Sequence, residues 1–150
     1  MWQVLSESLM NERVYVCGMI DALVARMIVI PERAKRNFVG HKGEINSVAW
    51  NHAGTIFATG SNDKNVTVWD GGSGALKGSL TGAVQSVMCV RFSGNDEMVL
   101  GASNDNATRV WSVNSGRLKH TLTGHIGKVY SAVFSADSEK VVRLYQRVSA

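Results

Sequence analysis

Trp69 and Trp111 stand 42 residues apart, and their neighbours keep the same interval. Asn62 and Asp63 recur as Asn104 and Asp105, and Trp50, Phe92 and Phe134 form a series of three. Gly40-His41 and Gly124-His125 stand two such intervals apart. A chain that repeats on this scale is made of supersecondary units that cannot bury their own faces. Each unit must stack on the next, so the architecture is an array and not one ordinary closed core.

Within each period the residues read as strands. Runs rich in β-branched and apolar residues alternate with clusters of Gly, Asn, Asp and Ser, whose turn chemistry separates them. Strands are expected over 45–50, 56–61, 66–70 and 76–81, then over 87–92, 98–103, 108–113 and 118–123, and finally over 129–134. Four strands per period, with Gly-His early and Trp-Asp late, is the pattern of a propeller blade. The fold class read from this is all-β: a partial β-propeller of about two and a half four-stranded antiparallel blades. Residues 37–78 and 79–120 make two repeats, and 121–150 makes a shortened third. Val141-Val142 still reads as strand, but residues 143–150 do not continue the motif. Arg147 stands where an acidic turn residue belongs, and a third Trp would fall beyond Ala150.

Residues 1–36 read as a segment outside the repeats. The stretch from Val14 to Ile30 is apolar-rich, but Asp21 and Arg26 interrupt it and it is short for a membrane span. Leu23, Val24, Met27 and Ile28 fall on one helical face, so a short amphipathic helix ending near Pro31 is expected. The formal net charge of +4 is modest, and acidic residues are interspersed throughout. That balance gives no basic stripe for nucleic acid, and the Arg33, Lys35, Arg36 cluster reads as a solvated linker. Cys17 and Cys89 lack metal spacing and form no disulfide framework, which suits a reducing compartment. His52, His120 and His125 have neither helical pairing nor a Cys partner, so no metal is expected. No Gly-rich loop precedes a helix, so no nucleotide cofactor is expected either.

The motif residues resemble the WD-repeat (WD40) family. They are Gly40-His41, Thr59-Gly60-Ser61, Asn62-Asp63, Val66-Thr67-Val68-Trp69-Asp70, Asn104-Asp105, Arg109-Val110-Trp111-Ser112 and Gly124-His125. A narrower match runs from Ala102 to Trp111, then from Arg117 to His125 and over Gly127-Lys128-Val129, joined by Ala58-Thr59-Gly60 and Lys77-Gly78-Ser79-Leu80. It is similar to blades one to three of the propeller of the autophagy-related protein sixteen family. That resemblance implies a cytoplasmic, non-enzymatic scaffold recruited to forming autophagosome membranes. Its partners would be proteins of the autophagy conjugation machinery, with membrane association indirect and no small-molecule substrate. The alternative is a generic WD40 adaptor in another complex, for ubiquitin ligation or signalling. The coiled coil and the N-terminal binding segment of the autophagy family are not recognisable in this sequence.

His41, Thr59 and Asp63 offer an imidazole, a hydroxyl and a carboxylate, the parts of a nucleophilic triad. The WD-repeat resemblance implies instead that these positions, with Trp69, form a buried hydrogen-bond chain that pins a turn, and that Asp105, Trp111 and His125 are its later counterparts. The second repeat departs from the pattern: Ala83 replaces the His and Gly101 replaces the hydroxyl residue. The structural reading is favoured because the would-be triad is not maintained. By the same resemblance, the turns at 41–46, 62–65, 83–86, 104–107 and 125–128 share one rim. Lys42, Glu44, Asn46, Asn62, Lys64, Gln85, Asn104, Asn106 and Lys128 are polar residues there with no evident core task, which makes them candidates for holding a partner.

Overall fold

A computed structural model describes residues 3–7, 13–17 and 35–147. Thirteen strands are present among them, with no helix. Two four-stranded antiparallel sheets carry the first two repeats. One is β4 (Ile45–Trp50), β5 (Ile56–Ser61), β6 (Val66–Asp70) and β7 (Leu76–Leu80), in that order. The other is β8 (Val87–Phe92), β9 (Met98–Ser103), β10 (Thr108–Ser112) and β11 (Leu118–Leu122). The third repeat supplies the pair β12 (Val129–Phe134) and β13 (Val141–Tyr145). Strand β13 runs on through Tyr145, past the point where the motif fades in sequence. Its backbone pairing with β12 needs only extended residues, and Val-Val-Arg-Leu-Tyr supplies them without any motif side chain.

The N-terminal region contributes β1 (Gln3–Glu7), β2 (Arg13–Cys17) and β3 (Lys35–Phe38), in the order β2-β1-β3. Val14–Cys17, the start of the apolar stretch, is strand. Its β-branched and aromatic residues pair in antiparallel register with β1. Leu23, Val24, Met27, Ile28 and Pro31, on which the amphipathic helix rests, lie outside the described residues. Strand β3 stands one period before β7, so Phe38 occupies the place of Leu80.

The repeat extends to irregularities. Register shifts occur between Ile45 and Ser47, between Val87 and Cys89, and between Val129 and Ser131, one period apart each time. The bulged residue is thus Asn46, then Met88, then Tyr130, and a bulge re-aims the side chain it releases. A second shift falls beside each Trp, at Val68/Trp69 and Val110/Trp111.

The sheets stack face to face. Ala58, Val66 and Val68 of one sheet meet Val87, Val90 and Val99 of the next, all buried. Phe38, Phe57 and Trp69 form a second cluster, with Phe57 and Trp69 rings 6.2 Å apart and stacked. Trp69 and Trp111 are each 1% exposed. Truncating a buried aromatic of this size costs on the order of 3–5 kcal/mol, so each recurring Trp is a large contributor to the packing of its sheet. The turn before each first strand and the turn between second and third strands lie at one end of the stack. The other turns lie at the opposite end.

Candidate functional site

In the first repeat the structure brings His41, Thr59, Asp63 and Trp69 into one chain. The Trp69 indole N–H donates to Thr59 Oγ1 at 2.9 Å. The Thr59 hydroxyl donates to His41 Nε2 at 2.6 Å, and His41 Nδ1–H donates to Asp63 Oδ2 at 2.7 Å. This tautomer, assigned from the network, satisfies every member at once. Asp63 also accepts from the backbone N–H of Lys42 at 2.9 Å and of Asn65 at 3.0 Å, which ties two turns together. Burial pushes the Asp63 carboxyl up, but the Lys42 N–H and the His41 imidazole outweigh it and hold the group below the ordinary carboxylate range. Gly40 precedes His41 because the Trp69 ring lies over it: a Cβ there would come within 2.6 Å of the indole.

The hydroxyl of this would-be triad is sealed. Thr59 is 0% exposed, and the indole N–H already occupies its oxygen. His41 turns its Nε2 to that oxygen and is itself buried. The polar groups are spent on joining strand to turn.

Asp105 and Trp111 are not brought into such a chain. Asp105 Oδ2 accepts from the Val84 backbone N–H at 2.9 Å, as Asp63 does from Lys42. Where the imidazole would stand, Arg109 Nη1 reaches the same carboxylate at 2.8 Å. Trp111, with no hydroxyl on Gly101, donates to the Thr81 backbone carbonyl at 3.1 Å. A Cβ on Gly101 would stand 3.0 Å from both the Trp111 ring and Val66, so the missing hydroxyl is also a packing requirement. Ser103 Oγ donates to Gln85 O at 3.1 Å and accepts from Asp105 N–H, adding a link between the same two turns. Among the described residues His125 has neither an acidic nor a hydroxyl partner. Its Nε2 is buried without a hydrogen bond, and its ring stacks on Tyr145 at 4.1 Å. The positions two periods after Thr59 and Asp63 are Arg143 and Arg147, and Arg143 instead caps the Leu122 and Thr123 carbonyls.

The rim residues divide into two kinds. Glu44, Asn62 and Asn46 are engaged with one another: Asn62 Nδ2 donates to Glu44 Oε2 at 2.8 Å, and Asn46 Nδ2 donates to Asn62 Oδ1 at 2.8 Å. Asn46 also reaches Val87 O of the next sheet at 3.0 Å. These three have a task that the sequence did not reveal. Lys42, Lys64, Gln85 and Lys128 are exposed, whereas Asn104 and Asn106 are half-buried. Lys64 and Asn106 take positive φ (73° and 67°) in the tight turns after the acidic residues.

Two features escaped the sequence reading. The first is Arg109, which stands one period after Thr67 and four residues after Asp105. Comparing the two repeats column by column would have flagged it. The second lies at the opposite rim. Asp96 Oδ1 accepts from His52 N–H at 2.6 Å, and its Oδ2 accepts from Ala53 N–H at 2.9 Å and Asn51 Nδ2 at 3.0 Å. This clamp joins neighbouring sheets.

A family model described as "WD domain, G-beta repeat" matches residues 33–70 and 74–112, just over half of the 150 residues. The chain belongs to the WD40 repeat family. Among its relatives, protein tipD of Dictyostelium discoideum is 51% identical over 73 residues, 49% of this chain and 12% of the relative. Protein ALTERED SEED GERMINATION 2 of Arabidopsis thaliana is 34% identical over 64 residues, 41% of this chain and 8% of that protein. The guanine nucleotide-binding protein subunit beta-1 of Nicotiana tabacum is 37% identical over 70 residues, 45% of this chain and 18% of the subunit. The chain spans less than a fifth of the length of each of these relatives. WD40 domains generally bind other proteins, and WD40 repeat proteins are generally non-enzymatic scaffolds. Among the described residues no group of His, Cys, Asp and Glu could hold a metal ion.

Proposed function

We propose that this chain is a non-enzymatic WD40 scaffold that holds a protein partner on the rim formed by the turns at 41–46, 62–65, 83–86, 104–107 and 125–128. The observation that carries this reading is the use of the buried polar groups. His41, Asp63, Asp105 and Arg109 all serve to pin those turns, so the backbone of the rim is held in place beneath its exposed side chains. Preorganised loops lose little freedom on binding, which favours a recognition surface.

The partner proposed is the autophagy conjugation machinery, and the site of action is cytoplasmic, at forming autophagosome membranes. Support comes from the stretch Ala102–Trp111 and its continuation through Val129, which is more particular than generic WD40 repeats require. A second reading, an adaptor in a signalling or ubiquitin-ligase complex, draws on the similarity to guanine nucleotide-binding beta subunits. Affinity capture with the full chain from starved cells separates them. Recovery of autophagy conjugation components supports the first reading. Their absence, with signalling or ubiquitin-ligase subunits recovered in their place, overturns it.

A further inference from the structure

Val84 is 65% exposed and Ile126 is 70% exposed, and the two stand one period apart at the same place in neighbouring repeats. The first repeat has Lys42 in that place. Exposed apolar side chains at matched positions and rimmed by polar residues mark an interaction surface. They are also held firmly: the Val84 backbone N–H is bound by Asp105, and beside Ile126 the His125 ring stacks on Tyr145, itself 37% exposed.

The charge around them is predominantly positive. Among the described residues of this rim, the Asp105 carboxylate is balanced by Arg109, while Asp63 faces a neutral imidazole and keeps its charge. That leaves Lys42, Lys64, Lys128 and Arg147, all exposed, against Glu44 and the part-buried Asp63. The opposite rim is reversed. Its turns carry Asp96, Glu97, Asp137 and Glu139 against Arg117 and Lys140, while Asp70 at the end of β6 is paired with Lys77 at 3.8 Å. The molecule therefore presents a basic, apolar-studded end and an acidic end.

We propose that the basic rim takes an acidic peptide segment bearing bulky apolar side chains. The carboxylates would meet the lysines and Arg147, and the apolar groups would cover Val84, Ile126 and the Tyr145 ring. Complementary potential steers such a segment and excludes basic ones, while the buried apolar contacts supply most of the affinity. A peptide fits better than an anionic membrane. The exposed Gln85 amide and half-buried Asn106 can bond a peptide backbone, which a lipid headgroup does not offer. This inference rests on the rim being the partner surface, and it holds whichever complex the partner belongs to.

The test is selection of short randomised peptides on the immobilised full chain, which requires no autophagy component. Survivors should be rich in Asp and Glu with Leu, Phe or Trp. A synthesised survivor should lose about tenfold in affinity or more on Val84→Ser with Ile126→Ser, and separately on Lys64→Glu with Lys128→Glu. The thermal midpoint of both variants should stay at the parent value, and Arg117→Glu on the opposite rim should leave binding unchanged. Neutral or basic survivors, no survivors, or survivors indifferent to both rim pairs would overturn the proposal. So would binding to vesicles of phosphatidylserine and phosphatidylcholine that the rim substitutions abolish, with no acidic peptide selected.

Discussion

Asp63 is the residue on which the first repeat turns. Its carboxylate accepts from an imidazole and two backbone N–H groups, and its folded-state titration lies below the ordinary range. A depressed carboxyl contributes stability that is present above its unfolded value, about pH 3.9, and is lost as pH falls through the folded one. Asp63→Asn should therefore destabilise the chain by about 1–3 kcal/mol at neutral pH, since it leaves buried donors without their ionic acceptor. The gap between parent and variant should narrow as pH falls below about 4, measured by denaturant unfolding across a pH series. Thr108 makes the opposite case. It is 0% exposed, its hydroxyl has no partner, and one period earlier the residue is Val66. Thr108→Val removes an unsatisfied polar atom at nearly constant shape, so it should stabilise by about 1 kcal/mol and raise the thermal midpoint by about 2–4 °C.

At the scale of strands and turns, much of the chain was legible in its sequence. Strands β4, β5, β6, β8, β9 and β12 occupy the expected ranges and each ends against Gly, Asn or Ser, because turn chemistry acts over three or four residues. What could not be read is contact between sheets. Ala83 and Gly101 announced a loss, but the replacement of imidazole by the Arg109 guanidinium depends on which way a strand side chain points. The Asp96 clamp was hidden for the same reason, since its donors lie more than forty residues away. Columns of the repeat make it visible afterwards. Gly54, Asp96 and Ser138 occupy one column and all take positive φ, of 68°, 60° and 62°. Ser138 Oγ accepts from Gly94 N–H at 3.0 Å, a single bond where Asp96 makes three. Asp tolerates this backbone conformation. Ser138→Asp should thus copy the clamp at the second interface and raise the thermal midpoint, while Asp96→Asn, which keeps the conformation but loses the charge, should lower it. A midpoint unchanged by both would show that the clamps are incidental.

For the whole molecule, the period means that sheets are interchangeable in architecture while their exposed turns differ. The Trp and the acidic turn residue recur in the first two repeats, and the partners of each are improvised from what the sequence offers. Fixed packing with variable loops separates the residues that keep the fold from those that meet a partner. The measurement that tests this most directly is partner retention and thermal unfolding on the same samples. The parent chain is compared with Lys64→Glu/Lys128→Glu on the rim and with Asp63→Asn beneath it. The account predicts that the rim variant loses its captured partner at an unchanged midpoint, while Asp63→Asn lowers the midpoint. Full retention by the rim variant, or a loss of binding that tracks the midpoint in both variants, would contradict it.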